Sequence, residues 1–199
     1  SSSRSRRSAD ARLRPGRERA VLAEAFLTGP ERTFETVLVD GEPVWASQTL
    51  YLDRPLDILE TPWKQWSVLF PREVLDDAAR AFLPVDVAAL RTLGLRTGMA
   101  HLEWFLTPGG PVIGEVGARP PGARFMTMLG QTYDEDLWAR WVELEVLGRW
   151  RPLPERRYAV GCAFFRGQGS GSTILAVEGL ERAQREVGAL VIEAQLPRI

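Results

Sequence analysis

His101-Leu-Glu-Trp-Phe-Leu-Thr-Pro-Gly-Gly-Pro111-Val-Ile-Gly-Glu115-Val-Gly-Ala-Arg119 is the stretch whose reading decides the fold. Two apolar runs flank a Pro-Gly-Gly turn, the pattern of a β-hairpin. With a three-residue loop, Pro108 to Gly110, Thr107 faces Pro111 and Glu103 falls directly opposite Glu115. Side chains alternate along a strand, so His101 and Glu103 share a face, as do Glu115, Gly117 and Arg119. Two carboxylates across a ladder repel, by roughly 3 kcal/mol at ~5 Å and an effective dielectric of ~20. A divalent cation held by oxygen ligands is the natural compensation. A loop of two or four residues would put the two glutamates on opposite faces and remove that argument.

The chain has 199 residues, is 45% hydrophobic and carries a net charge of −1, enough for one large domain or one domain with a small addition. The near-balance hides an asymmetry: residues 1–20 hold seven Arg against Asp10 and Glu18, a net +5, which leaves −6 for the rest. An acidic body argues against broad nucleic-acid binding. Cys162 is the only cysteine, which rules out an internal disulfide framework and points to a reducing cytoplasm. A single histidine excludes a His-rich transition-metal site but not an oxygen-ligand one. No apolar run reaches the length of a membrane span.

Residues 1–20 read as a disordered basic tail. Strands are expected at Val21–Leu27, at Thr33–Val39 up to the Asp40-Gly41 turn, and at Pro43–Tyr51. Residues 52–71, with three prolines, read as irregular. Helices are expected over Arg72–Leu83 and Asp86–Leu95, the second with Asp86 as N-cap. After the hairpin at 99–119, residues 120–133 read as a loop bearing Arg124. Asp134–Trp150 is the clearest helix, with Leu137, Trp141, Leu144 and Gly148 on one face. A boundary is expected at Arg151–Glu155. Beyond it come a strand (Tyr158–Phe165), a Gly-rich turn, a strand (Ser172–Val177), a helix (Leu180–Glu186) and a strand (Ala189–Ala194). Cys162 falls in an apolar strand, as inert core.

Four segments carry a family resemblance: Glu24-Ala-Phe-Leu-Thr-Gly-Pro-Glu31, Thr33-Phe-Glu-Thr-Val-Leu-Val-Asp-Gly41, Gly98-Met-Ala-His101-Leu-Glu103 and Glu115-Val-Gly-Ala-Arg119-Pro-Pro-Gly122. In order and spacing they resemble the C-terminal half of an ATP-grasp protein, over about Val21 to Leu196, and in particular the L-amino-acid ligase-like carboxylate–amine ligases. The resemblance implies an α+β fold: an antiparallel sheet with flanking helices over 21–151, and an incomplete α/β appended subdomain over 155–199. It implies ATP- and Mg2+-dependent formation of an amide from a small carboxylic or amino acid and an amine, through an acyl phosphate, with Mn2+ able to replace Mg2+.

Roles implied by the resemblance fall on matching positions. Glu103 and Glu115 match the metal carboxylates. Arg119 matches the arginine that meets the transferred phosphoryl group, and His101 stands ready to position phosphate or substrate. Glu24, Phe26 and Leu27 match the hinge beside the adenine, and Glu31 the ribose-binding glutamate. The family's preceding domain, Gly-rich phosphate loop and phosphate-binding lysines have no counterpart here; Lys64 is the single lysine. The resemblance therefore implies a fragment without ligase activity alone, with a separate chain as one possible source of the other half. A non-catalytic remnant that binds nucleotide or a partner is the other reading. Neither nucleic acid nor a membrane is expected as a partner.

Overall fold

Alternating apolar residues on strands of five to ten residues build one sheet, and each sheet face selects its own helices. The structure, a computed structural model, describes residues 23–169, 171 and 173–197. The basic tail at 1–20 and the first two residues of the strand expected at Val21–Leu27 lie outside them. In chain order the elements are β1 (Glu31–Val39), β2 (Glu42–Tyr51), α1 (Pro55–Glu60), β3 (Trp66–Phe70), α2 (Asp77–Thr92), β4 (Gly98–Thr107), β5 (Gly110–Gly117), α3 (Phe125–Tyr133), α4 (Leu137–Leu147), β6 (Val160–Phe164) and α5 (Leu180–Val187). The six strands form one sheet in the order β5-β4-β1-β2-β3-β6, and every pairing is antiparallel.

One face carries Phe34, Leu38, Ala100, Leu102 and Trp104 and packs on α2 through Ala79, Phe82 and Leu90. Phe82 stacks flat on Trp104, with ring centroids 4.4 Å apart. Burial of side chains of this size stabilises by about 1.5–3 kcal/mol each. That explains why α2 is one helix, not the two expected. Pro84 lies inside it, at a cost of about 3 kcal/mol in a helix interior, yet the buried face on both sides of the proline holds the helix together. The N-cap is Asp76, which accepts from the Ala79 N–H, rather than Asp86. Asp86 is fully buried and accepts a 2.6 Å hydrogen bond from the Thr36 hydroxyl.

The opposite face divides in two. At one end Val37, Val68, Phe70, Met99 and Val160 pack against α3 and α4 through Phe125, Leu129, Leu137 and Leu144. α3 replaces the loop expected over 120–133. Seven of its nine residues are buried, so it shows no single apolar stripe and hides its period. Residues 52–71 likewise contain α1 and β3 instead of being irregular. α4 is as expected in its buried face, shortened by its cap: Asp136 accepts from the N–H groups of Trp138 and Ala139.

β6, expected in the appended part, pairs with β3 along the main sheet, from Trp66 opposite Phe164 to Phe70 opposite Val160. Arg156, which is buried, ties this return to the sheet by donating to Pro71 O (2.6 Å) and Ser47 Oγ (2.8 Å). The strands expected at 172–177 and 189–194 are not formed: among the described residues, 173–177 have no regular structure, and 188–190 make a single 3-10 turn. Nor do 23–27 form a strand. α5 buries none of its residues, and Phe165, Leu175 and Leu190 are more than 80% exposed. Without a second layer to cover them, such segments gain nothing from pairing as strands. No helix among the described residues is long and apolar enough to cross a membrane.

Candidate functional site

The part of the second face not covered by α3 and α4 is polar. Alternation places Glu31, Thr33 and Glu35 of β1 on it, beside Ser47, Thr49 and Tyr51 of β2 and His101 and Glu103 of β4. Glu103 pairs with Glu115, and His101 with Gly117. The expected carboxylate pair is therefore formed, but by a different route from the three-residue loop. The turn has two residues, Pro108 and Gly109, with Thr107 opposite Gly110. A two-residue turn alone would set Gly114 against Glu103. A β-bulge between Glu103 and Trp104 moves the register by one, with Gly114 the extra residue, and returns Glu115 to Glu103. Gly114 suits this position, because a Cβ there would stand 2.9 Å from the Phe105 ring and 3.3 Å from Glu103 O.

Neither Glu103 nor Glu115 has a cationic partner among the described residues. Glu103 accepts a 3.3 Å hydrogen bond from the Tyr51 hydroxyl. Burial, together with the neighbouring Glu103 charge, pushes the Tyr51 phenol up. The same two causes, burial first and Glu103 second, raise Glu31 to about 7, against the opposing pull of Arg54. This strip of the sheet thus holds more negative charge than it neutralises. Among the described residues no three His, Cys, Asp or Glu side chains converge to form a closed metal cage. Two carboxylates facing an open side suit Mg2+, which keeps waters and takes substrate phosphates rather than a full protein cage.

Arg119 follows β5. Its N–H donates to Gly117 O at 2.9 Å, its guanidinium donates to Pro120 O at 3.0 Å, and its side chain passes 3.4 Å from where a Gly117 Cβ would stand. Gly117 lies opposite His101, so Arg119 lies over the same face as the glutamate pair, exposed and without an ion pair among the described residues. Arg124 instead pairs with Glu193 at 2.7 Å.

Of the residues expected at the hinge, Glu24 and Phe26 are exposed, Phe26 by 71%, and Leu27 is half-buried; none of the three makes a side-chain hydrogen bond or ion pair to Glu103 or Glu115 among the described residues. The segment that carries them is anchored just beyond, where the Leu106 N–H donates to Pro30 O at 3.0 Å. Gly29 permits this approach: its φ is +125°, and a Cβ would lie 2.2 Å from Leu106 O. Glu31, by contrast, does belong to the polar face.

Sequence reasoning overlooked Glu35. It is fully buried at the centre of the sheet, opposite both His101 and Ser47. An acid in the middle of Thr33-Phe-Glu-Thr-Val was the available signal, since a strand centre holds a carboxylate only when donors surround it. Tyr51 was overlooked for a simpler reason: nothing local distinguishes it from a packing aromatic.

No protein-family profile matches the sequence, and no curated protein matches it. Among solved structures, the chain is similar to the L-amino acid ligase from Bacillus licheniformis, with a TM-score of 0.63 and 21% identity over 81% of this chain and 39% of that one. It is also similar to the phosphoribosylglycinamide synthetase from Anaerococcus prevotii, with a TM-score of 0.55 and 14% identity over 67% of this chain and 34% of that one. The chain thus spans 39% and 34% of the lengths of these proteins. What is shared at this identity is the fold, an antiparallel sheet with flanking helices, as the sequence resemblance implied.

Proposed function

We propose that this chain supplies the metal- and phosphoryl-facing wall of an ATP-dependent carboxylate–amine ligase, with the opposite wall of the nucleotide cleft coming from residues outside it. The observation that carries this reading is the Glu103–Glu115 pair, set face to face by the Gly114 bulge with no ion pair to either glutamate among the described residues. Its two carboxylates would hold Mg2+, which would supply neutralisation of the charge developing in phosphoryl transfer. Arg119, a planar and permanently charged fork on the same face, would hold the transferred phosphoryl group bidentately. Glu31 would accept hydrogen bonds from ribose hydroxyls, and Glu24 with the backbone of Phe26 and Leu27 would meet the base.

In the reaction proposed, the γ-phosphoryl group passes from ATP to a substrate carboxylate oxygen. The amine nitrogen then attacks the acyl carbon, loses a proton, and phosphate departs as the amide forms. The chain's own share of this work is positioning and charge compensation, the usual sources of catalysis in phosphoryl transfer.

Titration calorimetry with MgADP tests the reading on the chain as it stands. Wild type is expected to bind, and Glu103→Gln and Glu115→Gln each to weaken binding at least tenfold while leaving the circular dichroism unchanged. Equal binding by wild type and both variants, or none by wild type, would contradict it.

A further inference from the structure

His101 and Glu35 face each other across β4 and β1. Two hydroxyls and one imidazole nitrogen converge on the fully buried Glu35 carboxylate. The Thr33 hydroxyl donates to Oε1 at 2.8 Å, the Thr49 hydroxyl to Oε2 at 3.3 Å, and His101 Nδ1 lies 3.0 Å from Oε1. Thr33 and Thr49 are themselves cross-strand partners and fully buried, so the cradle is rigid. An ionised carboxylate only accepts hydrogen bonds. Nδ1 must then carry a proton in both the neutral and the charged imidazole. The His101 side chain is only 11% exposed, and the Phe125 ring stands perpendicular to its ring with centroids 6.3 Å apart. Its other nitrogen, Nε2, is turned away from Glu35 and has no protein partner among the described residues. The neighbour on the β5 side is Gly117, which has no side chain to cover the ring, and the next residue on the same face of β4 is Glu103.

We propose that Glu35 is a positioning residue for this site: it fixes the proton on His101 Nδ1 and so presents Nε2 as the one free imidazole nitrogen to whatever binds over Glu103, Glu115 and Arg119. Glu35 touches no ligand itself and acts through His101. The importance of Nε2 to a bound phosphoryl group rests on the nucleotide reading above; the tautomer does not. Orientation of an imidazole by a buried acid is the general means by which one ring nitrogen is committed and the other freed.

His101 is the only histidine in the chain, so 15N-histidine labelling gives one pair of ring signals and no assignment problem. At alkaline pH, wild type is expected to show its proton mainly on Nδ1, the reverse of free histidine. Glu35→Gln keeps an acceptor oxygen and should keep that tautomer. Glu35→Leu removes the acceptor and should move the majority proton to Nε2. A wild type with the proton mainly on Nε2, or a Glu35→Leu spectrum like that of wild type, would overturn the proposal. Should Glu35→Leu fail to fold, the wild-type and Glu35→Gln spectra decide it, because a structural role alone predicts no particular tautomer. Adding MgADP with inorganic phosphate should then shift Nε2 several-fold more than Nδ1. Binding seen by calorimetry with both nitrogens unmoved overturns the presentation of Nε2. No calorimetric binding counts against the nucleotide reading instead, and leaves the tautomer result to judge Glu35.

Discussion

Two buried acids on opposite faces of the sheet show how much the surroundings of a carboxylate decide. Glu35 is met by two hydroxyl donors and the His101 imidazole. Asp86 has one, the Thr36 hydroxyl, and its Oδ1 is buried without a partner. Burial is the main cause that raises Asp86 to about 6, with the Glu35 charge adding and the Thr36 bond opposing. A carboxyl raised in the folded state keeps its proton there while the unfolded chain has already lost it. Its contribution is therefore full at pH values below the ordinary Asp range and declines as pH rises from about 4 to about 6. The size of that decline is roughly 3 kcal/mol or less. Asp86→Asn cannot titrate. Urea unfolding across this range is expected to show wild type losing stability relative to the variant; the Glu31 contribution is common to both and cancels. Parallel curves would remove the titration from Asp86. The sequence offered Asp86 as a helix cap because an acid two residues after Pro84 fits that pattern, and only the packing of α2 on β1 reveals a core carboxylate.

At the level of elements, β1, β2, β4, β5 and β6 were legible, while β3 and the helices within irregular-looking segments were not, and the strands expected near 21–27, 172–177 and 189–194 are not formed among the described residues. The β1–β2 hairpin follows from its alternation and from Asp40-Gly41, both at positive φ. The β4–β5 pairing of Glu103 with Glu115 was legible too, although its cause was not: a bulge leaves no mark in sequence beyond a glycine, and Gly114 is one of four in the nine residues 109–117. α3 was hidden because burial all round erases helical period. The expected split of α2 at Pro84 overweighted a local penalty against burial that becomes visible only in three dimensions. The segment expected as the hinge forms no strand over 23–28. Its attachment to β4 depends on Gly29, where a side chain would collide with backbone at an unfavourable φ. Gly29→Ala is expected to destabilise by about 2–3 kcal/mol and to raise hydrogen exchange at the Leu106 amide, whose bond to Pro30 O it disrupts. Unchanged exchange at Leu106 would show that the approach is not needed.

Across the described residues, the packed core and the proposed site occupy different regions. The sheet is closed on one face by α2 and on half of the other by α3 and α4, while the remaining half-face carries the acids, His101 and Arg119. The C-terminal residues after β6 add little to this core. Arg166 and Gln168 anchor the exit through Gln65, Ile58 O and Pro62 O, and beyond them the Arg124–Glu193 pair is solvent-exposed, worth at most about 1 kcal/mol. Ending the chain after Gln168 is expected to change the unfolding free energy in urea by no more than about 1 kcal/mol; a loss of several would mean that the arm belongs to the core. Central to the proposed function is a metal ion held by Glu103 and Glu115 against a bound nucleotide. Mn2+ with ADP tests it most directly, through the lone histidine two residues from Glu103 on the same face, a separation of roughly 7 Å. The His101 ring signals should broaden beyond detection at substoichiometric Mn2+ in wild type and stay sharp in the Glu103→Gln, Glu115→Gln double variant. Sharp His101 signals in wild type with nucleotide and Mn2+ both bound would contradict the claim.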